Sequence, residues 1–178
     1  MIVKVATPSQ VEAADKWKPQ LRPDQLNNIK PVFANKHLKN ELRKLALDLF
    51  DTGYGDCVGR RTVIVVGNGP YGYGCTEHKS VQCPRIMQLG DQIARGALPV
   101  GVSPGFTHAL IAATPAGCNG GIGAHKDGEC VPGSTLLALE LEGTKVAKFN
   151  VPVHGVTAIT GDYIATKGVH CDVGHWVE

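Results

Sequence analysis

Two histidines and one aspartate have the residue types and spacing that could bind a metal ion. His125 and Asp127 are separated by one residue, and His175 follows near the end of the sequence. Two imidazoles and one carboxylate on one face of an iron(II) ion leave the opposite face open, as in non-haem iron oxygenases. On an extended strand, His125 and Asp127 would project from the same face and could contact one ion. His170 is the alternative third ligand, because the neighbouring glycines leave the register open by a few residues.

Cysteines and the remaining histidines offer a second kind of metal chemistry. Two groups could act as zinc ligands: Cys118 with Cys130, and Cys75 with His78 and Cys83. Neither group has the paired C-x-x-C spacing that is typical of structural zinc sites. Residues 1–6 are too short an apolar run for a secretory signal, so we expect reduced thiols in a cytosolic setting. His108 and His154 are interpreted as structural histidines.

Composition limits the classes of partner. Lys and Arg number 18 against 16 for Asp and Glu, and a net charge of +2 provides no bulk attraction to nucleic acid. A polyanion would need a local patch, and the most basic segment, residues 30–44, is interpreted as a solvated helix face. No apolar run approaches the roughly 18 residues of a membrane span, so we expect no membrane partner. The oligomeric state is left open.

The elements that must position the candidate ligands are predicted to be mostly strands. Prolines interrupt residues 1–34, which we interpret as an N-terminal arm. Leucines at i, i+4, i+7 and i+11 predict a helix over residues 36–50, and Pro84 opens a second predicted helix over residues 84–95. Short apolar runs separated by glycine-rich turns predict strands over residues 62–66, 108–113, 135–141, 146–149, 156–159 and 163–166. Residues 35–178 are therefore predicted to form one β-rich domain of the α+β class with two helices.

Several ordered motifs over residues 60–178 resemble the AlkB-like iron(II)/2-oxoglutarate dioxygenases, and the viral members especially. The segment 121–129 (GIGAHKDGE) is similar to the family's metal-binding segment, and segment 132–139, Phe149 and the Gly161-Asp162 step before His175 follow in the family's order. Residues 109–111 lie where the family has the strand before its His-x-Asp motif. The segment 69–74 (GPYGYG) is similar to the tyrosine-containing hairpin that covers a nucleotide in such enzymes.

The resemblance implies a double-stranded β-helix, a jelly-roll-like fold with a helical N-terminal region. It also implies that His125, Asp127 and His175 bind iron(II), that Glu129 orients a ligand, and that 2-oxoglutarate is the co-substrate. The reaction would be oxidative demethylation of N-methylated nucleic acid with loss of formaldehyde. The substrate would be single-stranded or have a flipped base, stacked on Tyr71 and Tyr73. The expected location is the cytoplasm, or the host cytoplasm if the protein is viral.

The sequence departs from the family at the co-substrate contacts. The family anchors 2-oxoglutarate with an arginine after the distal histidine, whereas only Trp176, Val177 and Glu178 follow His175 here. Ala112 and Thr114 occupy the positions of a family asparagine and tyrosine. Two outcomes therefore stay open, an active demethylase and a degenerate descendant that binds metal without turnover.

A different class is a papain-like viral cysteine protease that cleaves at its own C-terminus. Cys83 precedes a predicted helix, where the helix dipole favours a thiolate, and the Gly174-His175-Trp176 step resembles the surroundings of catalytic histidines in viral proteases. In this alternative Cys83 is the nucleophile and His175 the base. A third alternative comes from residues 63–95, which are similar to a segment of alphavirus-like capping enzymes.

Overall fold

The structure is a computed structural model of the chain, and it describes residues 2–3, 25, 27–73, 76–118, 121–128, 133–143, 146–151 and 155–177. The chain divides into two compact units. Residues 1–33 and 121–178 form one, here called the terminal unit, and residues 34–120 form the other, the central unit. The prediction that residues 35–178 form a single domain stays a prediction.

Both predicted helices are present in the central unit. Helix α1 spans Lys36–Asp51, and the Asn35 side chain caps it by accepting a hydrogen bond from the backbone N–H of His37 (2.8 Å). Helix α2 spans Pro84–Arg95 and buries its apolar residues, Ile86, Leu89, Ile93 and Ala94. Among the described residues, no helix combines the length and the apolar character needed to cross a lipid bilayer.

The sheet of the central unit is organised around one buried strand. Its strands are β3 (Asp56–Val58), β4 (Arg61–Gly67), β7 (Ser80–Val81) and β8 (His108–Ala113). β4 pairs antiparallel with β3 and β8 and parallel with β7. Residues 63–66 of β4 are all buried, as expected for a β-branched strand inside a sheet. β5 (Tyr71–Tyr73) and β6 (Thr76–His78) form the predicted tyrosine-containing hairpin.

A buried histidine joins this hairpin to β3. His78 is 3% exposed, its Nδ1–H donates to Oδ2 of Asp56 (2.7 Å), and its Nε2–H donates to the Tyr73 carbonyl (3.0 Å). The hydrogen bond to Asp56 raises the pKa of His78, although burial opposes this shift. With a proton on both ring nitrogens, His78 is a cation paired with Asp56 rather than a metal ligand.

We expect the Asp56→Asn substitution to destabilise the protein in a pH-dependent way. Because the folded-state pKa of His78 is raised, the pair stabilises the fold fully below the unfolded value of about 6.5, and this contribution is lost as the pH rises through the folded pKa. Chemical unfolding should therefore show a larger loss at about pH 5.5 than at about pH 9. The exposed Asp51→Asn variant is the control and should show no such dependence. An equal loss for Asp56→Asn at both pH values would contradict the assignment.

In its described residues, the terminal unit contains two antiparallel sheets. The first has the order β1-β12-β11-β14-β9 and the second the order β10-β13-β2. Their strands are β1 (Ile2–Val3), β2 (Ile29–Pro31), β9 (Ile122–His125), β10 (Leu136–Ala138), β11 (Val146–Val151), β12 (Gly155–Thr160), β13 (Tyr163–Ala165) and β14 (His175–Val177). A short helix, α3 (Val169–Asp172), precedes β14. Residues 29–31, at the end of the predicted N-terminal arm, thus belong to a sheet, because they pair with β13.

Residues from both sheets share one hydrophobic core. Its buried members are Ile29, Ala147, Phe149, Tyr163, Ala165, Val169 and Val173, with Leu136 and Ala138 packed against them. The structure is therefore mixed α and β with many antiparallel strands, which is compatible with the predicted mainly β class. Phe149 is fully buried, and its register partner on β14 is His175. The core of the terminal unit therefore extends directly beneath the candidate ligands.

Candidate metal centre

Two neighbouring strands bring the two histidines together. β9 ends at His125 and β14 begins at His175, and these residues are opposite each other in the antiparallel pairing. Directly opposed side chains lie on the same face of a sheet, and the two imidazole centroids are 4.4 Å apart. The two ligands predicted farthest apart in sequence are thus cross-strand neighbours.

Asp127 reaches the same place from beyond the end of β9. We expected His125 and Asp127 on one extended strand, but the strand ends at His125. The backbone N–H of Asp127 donates to the carbonyl of His170 (3.0 Å) instead of extending the ladder to β14. That hydrogen bond turns the segment toward α3 and places the carboxylate between the histidines.

The distances between candidate ligand atoms suit a single metal ion. Oδ1 of Asp127 lies 3.3 Å from Nε2 of His125 and 3.3 Å from Nε2 of His175. All three ligand atoms are within 4.8 Å of one another. Donor atoms bound about 2.1 Å from one ion are roughly 3.0–3.4 Å from their neighbours in octahedral or tetrahedral geometry. His125, Asp127 and His175 could therefore hold a metal ion.

In both histidines a hydrogen bond from Nδ1 to a backbone carbonyl leaves Nε2 facing the carboxylate. Nδ1–H of His125 donates to the Gly123 carbonyl (2.8 Å), and Nδ1–H of His175 donates to the Val173 carbonyl (3.1 Å). In a neutral imidazole the other nitrogen, Nε2, then carries a lone pair. Both Nε2 atoms lie 3.3 Å from Oδ1 of Asp127. When protonated they donate to this oxygen, and when unprotonated they offer a lone pair to a metal ion, which would take the place of those protons.

Burial and charge differ across the site. The side chains of Asp127 and His175 are 14% and 5% exposed, whereas that of His125 is 35% exposed. Burial raises the pKa of Asp127, but contacts with His125, His170 and His175 together outweigh it and hold that pKa well below its usual range. Asp127 is therefore an ionised carboxylate at neutral pH, and the site opens to solvent on the side of His125.

A third histidine lies beside the same carboxylate. Nδ1 of His170, our alternative for the third ligand, is 3.0 Å from Oδ2 of Asp127 and 3.1 Å from Nε2 of His175. Burial lowers the pKa of His170, although the hydrogen bond to Asp127 opposes this shift. His170 is therefore neutral near pH 7 and lies on the buried side of the site.

Two aromatic residues complete the buried side. The Tyr163 hydroxyl is 3.1 Å from Nε2 of His170, and burial raises the pKa of Tyr163, so the hydroxyl keeps its proton. Phe149 packs edge-on against His170, with ring centroids 5.3 Å apart, and lies 5.7 Å from the ring of His175. From the sequence, Tyr163 was predicted only as part of a strand. A tyrosine in a buried strand directly after Gly161-Asp162 could have indicated a role in the site, because a buried hydroxyl requires a hydrogen-bond partner.

The other predicted site residues lie in the central unit or outside the described residues. The ring of Tyr71 lies 5.0 Å from that of His108, and the Arg61 guanidinium lies 5.7 Å from the centroid of Tyr73. His108 makes the contacts of a structural histidine, with Thr107 and the Gly69 carbonyl. Glu129, His154, Cys75 and Cys130 lie outside the described residues.

The residues of the protease alternative belong to different units. Cys83 is half-buried and occupies the cap position of α2 in the central unit, as predicted. His175 is in the terminal unit, where its Nδ1 contacts the Val173 carbonyl and its Nε2 faces Asp127 and His170. Both ring nitrogens of His175 therefore have partners within the terminal unit.

No protein-family model matches this chain, and no curated protein matches it either. Function must therefore be inferred from the residues and the geometry of the chain itself.

Proposed function

We propose that His125, Asp127 and His175 bind one iron(II) ion and that the protein oxidatively demethylates N-methylated nucleic acid with 2-oxoglutarate as co-substrate. The observation that carries the proposal is the arrangement of the candidate ligand atoms: Nε2 of His125 and Nε2 of His175 each lie 3.3 Å from Oδ1 of Asp127. Two imidazoles and one carboxylate are the ligand set of non-haem iron(II) oxygenases, which keep the remaining positions open.

The exposure of the ligands supports an open coordination face. The buried side of the site is filled by His170, Tyr163 and Phe149, whereas His125 is partly exposed. A co-substrate and a substrate would therefore approach from the side of His125. The order of antiparallel strands around the ligands is compatible with a double-stranded β-helix, which we propose as the finer description of the fold.

An iron(II) ion held by His125, Asp127 and His175 would, with 2-oxoglutarate and dioxygen, supply the oxidising power for removal of an N-methyl group. In the overall reaction dioxygen would be reduced, 2-oxoglutarate would be converted to succinate and carbon dioxide, and the methyl carbon would leave as formaldehyde. The protein must hold the methylated base outside a duplex for this chemistry, because base edges are covered by pairing. Tyr71 and Tyr73 are proposed as stacking surfaces, since both are half-buried on the glycine-rich hairpin β5–β6.

The geometry around His175 favours the metal centre over the cysteine-protease alternative. A papain-like base needs a ring nitrogen directed at the nucleophilic thiol and the other oriented by a third group. In this chain Nε2 of His175 lies 3.1 Å from Nδ1 of His170 and 3.3 Å from Oδ1 of Asp127. Nε2 of His175 thus lies among the candidate metal ligands, and its Nδ1 donates to the Val173 carbonyl.

The first experiment measures metal binding and turnover separately. Anaerobic titration with iron(II) should show one bound ion per chain, and a single-stranded N-methylated oligonucleotide should then release formaldehyde in the presence of 2-oxoglutarate and dioxygen. The His125→Ala variant should lose both, because one of three ligands is removed. His37→Ala is the matched control, since His37 is an exposed histidine on α1, and it should retain both.

The two readouts separate the parts of the proposal. Failure of the wild-type protein to bind iron(II) would overturn the metal centre. Stoichiometric iron binding without consumption of 2-oxoglutarate would overturn the demethylase and favour a degenerate descendant. Thiol labelling that inhibits peptide cleavage and is lost in Cys83→Ala would favour the protease.

A further inference from the structure

Residue 170 contacts residue 127 at two points. The carbonyl of His170 accepts the backbone N–H of Asp127 at 3.0 Å, and the ring Nδ1 lies 3.0 Å from the carboxylate oxygen Oδ2. The backbone hydrogen bond determines the position of Asp127, and the contact with the imidazole ring determines the rotation of the Asp127 carboxylate. Asp127 is thus held in both position and orientation by a residue 43 positions later in the chain.

The proton on the His170 ring can be assigned from its neighbours. When Nε2 of His175 carries no proton, as metal binding through this atom requires, Nδ1 of His170 faces two atoms without a hydrogen, Oδ2 of Asp127 and Nε2 of His175, at 3.0 and 3.1 Å. A lone pair on Nδ1 would face both of them without any proton, so Nδ1 carries the hydrogen. Nε2 of His170 is then the acceptor, and the Tyr163 hydroxyl, 3.1 Å away, donates to it. The chain of donors therefore runs from Tyr163 through His170 to Asp127.

With this assignment the two carboxylate oxygens of Asp127 have different partners. Oδ2 accepts from Nδ1–H of His170, whereas Oδ1 is the oxygen that both Nε2 atoms of His125 and His175 approach at 3.3 Å. A carboxylate free to rotate could bind an ion through either oxygen or through both. A hydrogen bond to Oδ2 leaves Oδ1 as the metal-binding oxygen.

We propose that His170, supported by the Tyr163 hydroxyl, is a positioning residue that holds Oδ2 of Asp127 and so directs Oδ1 to the metal ion. This inference rests on the proposed metal centre and adds to it the residues that orient its carboxylate. His170 is not a fourth ligand in this arrangement, because its Nδ1 carries a proton and its Nε2 faces Tyr163. Hydrogen-bonded partners of metal ligands change metal affinity by about 10- to 100-fold when they are removed.

The His170→Leu variant should weaken cobalt(II) binding by about 10- to 100-fold in a competition titration. The His170→Asn variant should recover much of that loss, because its amide N–H can take the place of Nδ1–H. Tyr163→Phe removes only the hydroxyl and should weaken binding in the same direction but less. Thermal unfolding of each metal-free variant shows whether it is folded, and Tyr163→Phe keeps the test valid if His170→Leu does not fold.

The number of histidines on the ion provides the second readout. Pulsed electron paramagnetic resonance on the copper(II)-loaded protein should count two coordinated imidazoles in the wild type and in every variant at position 170. A count of three in the wild type that falls to two in His170→Asn would overturn the proposal and make His170 a ligand. Unchanged cobalt affinity in folded His170→Leu would also overturn it, while leaving the metal centre intact. Absence of cobalt binding in the wild type would overturn both.

Discussion

Replacement of Phe149 by alanine should lower the free energy of unfolding of this protein by about 3–5 kcal/mol, the range for removal of a buried phenylalanine ring. Phe149 is fully buried on β11 and belongs to the core shared by both sheets of the terminal unit. Its ring contacts Tyr163 at a centroid distance of 5.9 Å in an edge-to-face arrangement, in addition to His170 and His175. A cavity at this point therefore removes both hydrophobic burial and the support of two site histidines.

The matched control is Phe33→Ala. Phe33 belongs to the same unit but is 95% exposed, and substitutions at such positions usually change stability by no more than about 0.5 kcal/mol. Urea unfolding of the metal-free proteins, followed by circular dichroism, measures both effects under identical conditions. Similar losses for the two variants would show that Phe149 is not a core residue of the folded protein.

The secondary structure of the described residues could largely be predicted from local patterns. The leucine stripe after Asn35 and the proline at position 84 predicted α1 and α2, and the β-branched run at residues 62–66 predicted β4. These patterns depend only on residues close together in the sequence, so they predict helices and strands without knowledge of the tertiary structure. The strand at residues 29–31 was not predicted, because its partner, β13, lies more than 130 residues later.

The candidate ligands could be predicted by residue type, but their support could not. The pattern of His125, Asp127 and His175 indicated a metal site, and the structure brings them within 4.8 Å. The proposed role of His170 depends on the register between β9 and β14 and on the turn after His125, which long-range pairing determines. The proposal that His175 rather than His170 is a ligand therefore depends on the hydrogen bonds at each ring nitrogen, which residue types alone do not reveal.

Metal binding should stabilise the wild-type protein strongly and the Asp127→Asn variant weakly. An ion that binds only the folded state at about 100 times its dissociation constant raises the free energy of unfolding by about 2.7 kcal/mol. Asparagine keeps the shape of the side chain but removes the negative charge that neutralises the cation. If affinity falls about 100-fold, the stabilisation at the same cobalt(II) concentration falls to about 0.4 kcal/mol.

Each protein is compared with itself, with and without cobalt(II), so that any effect of the substitution on the metal-free fold cancels. Cobalt bound by cysteines of the unfolded chain reduces the stabilisation equally in both proteins, because the cysteines are unchanged. Asp172→Asn is the control, since Asp172 is an exposed aspartate in the same unit and its replacement by asparagine removes the same negative charge. It should retain the full stabilisation. If Asp127→Asn and Asp172→Asn are stabilised equally, the carboxylate at position 127 does not bind the ion, and the charge arrangement around His125 and His175 requires a different explanation.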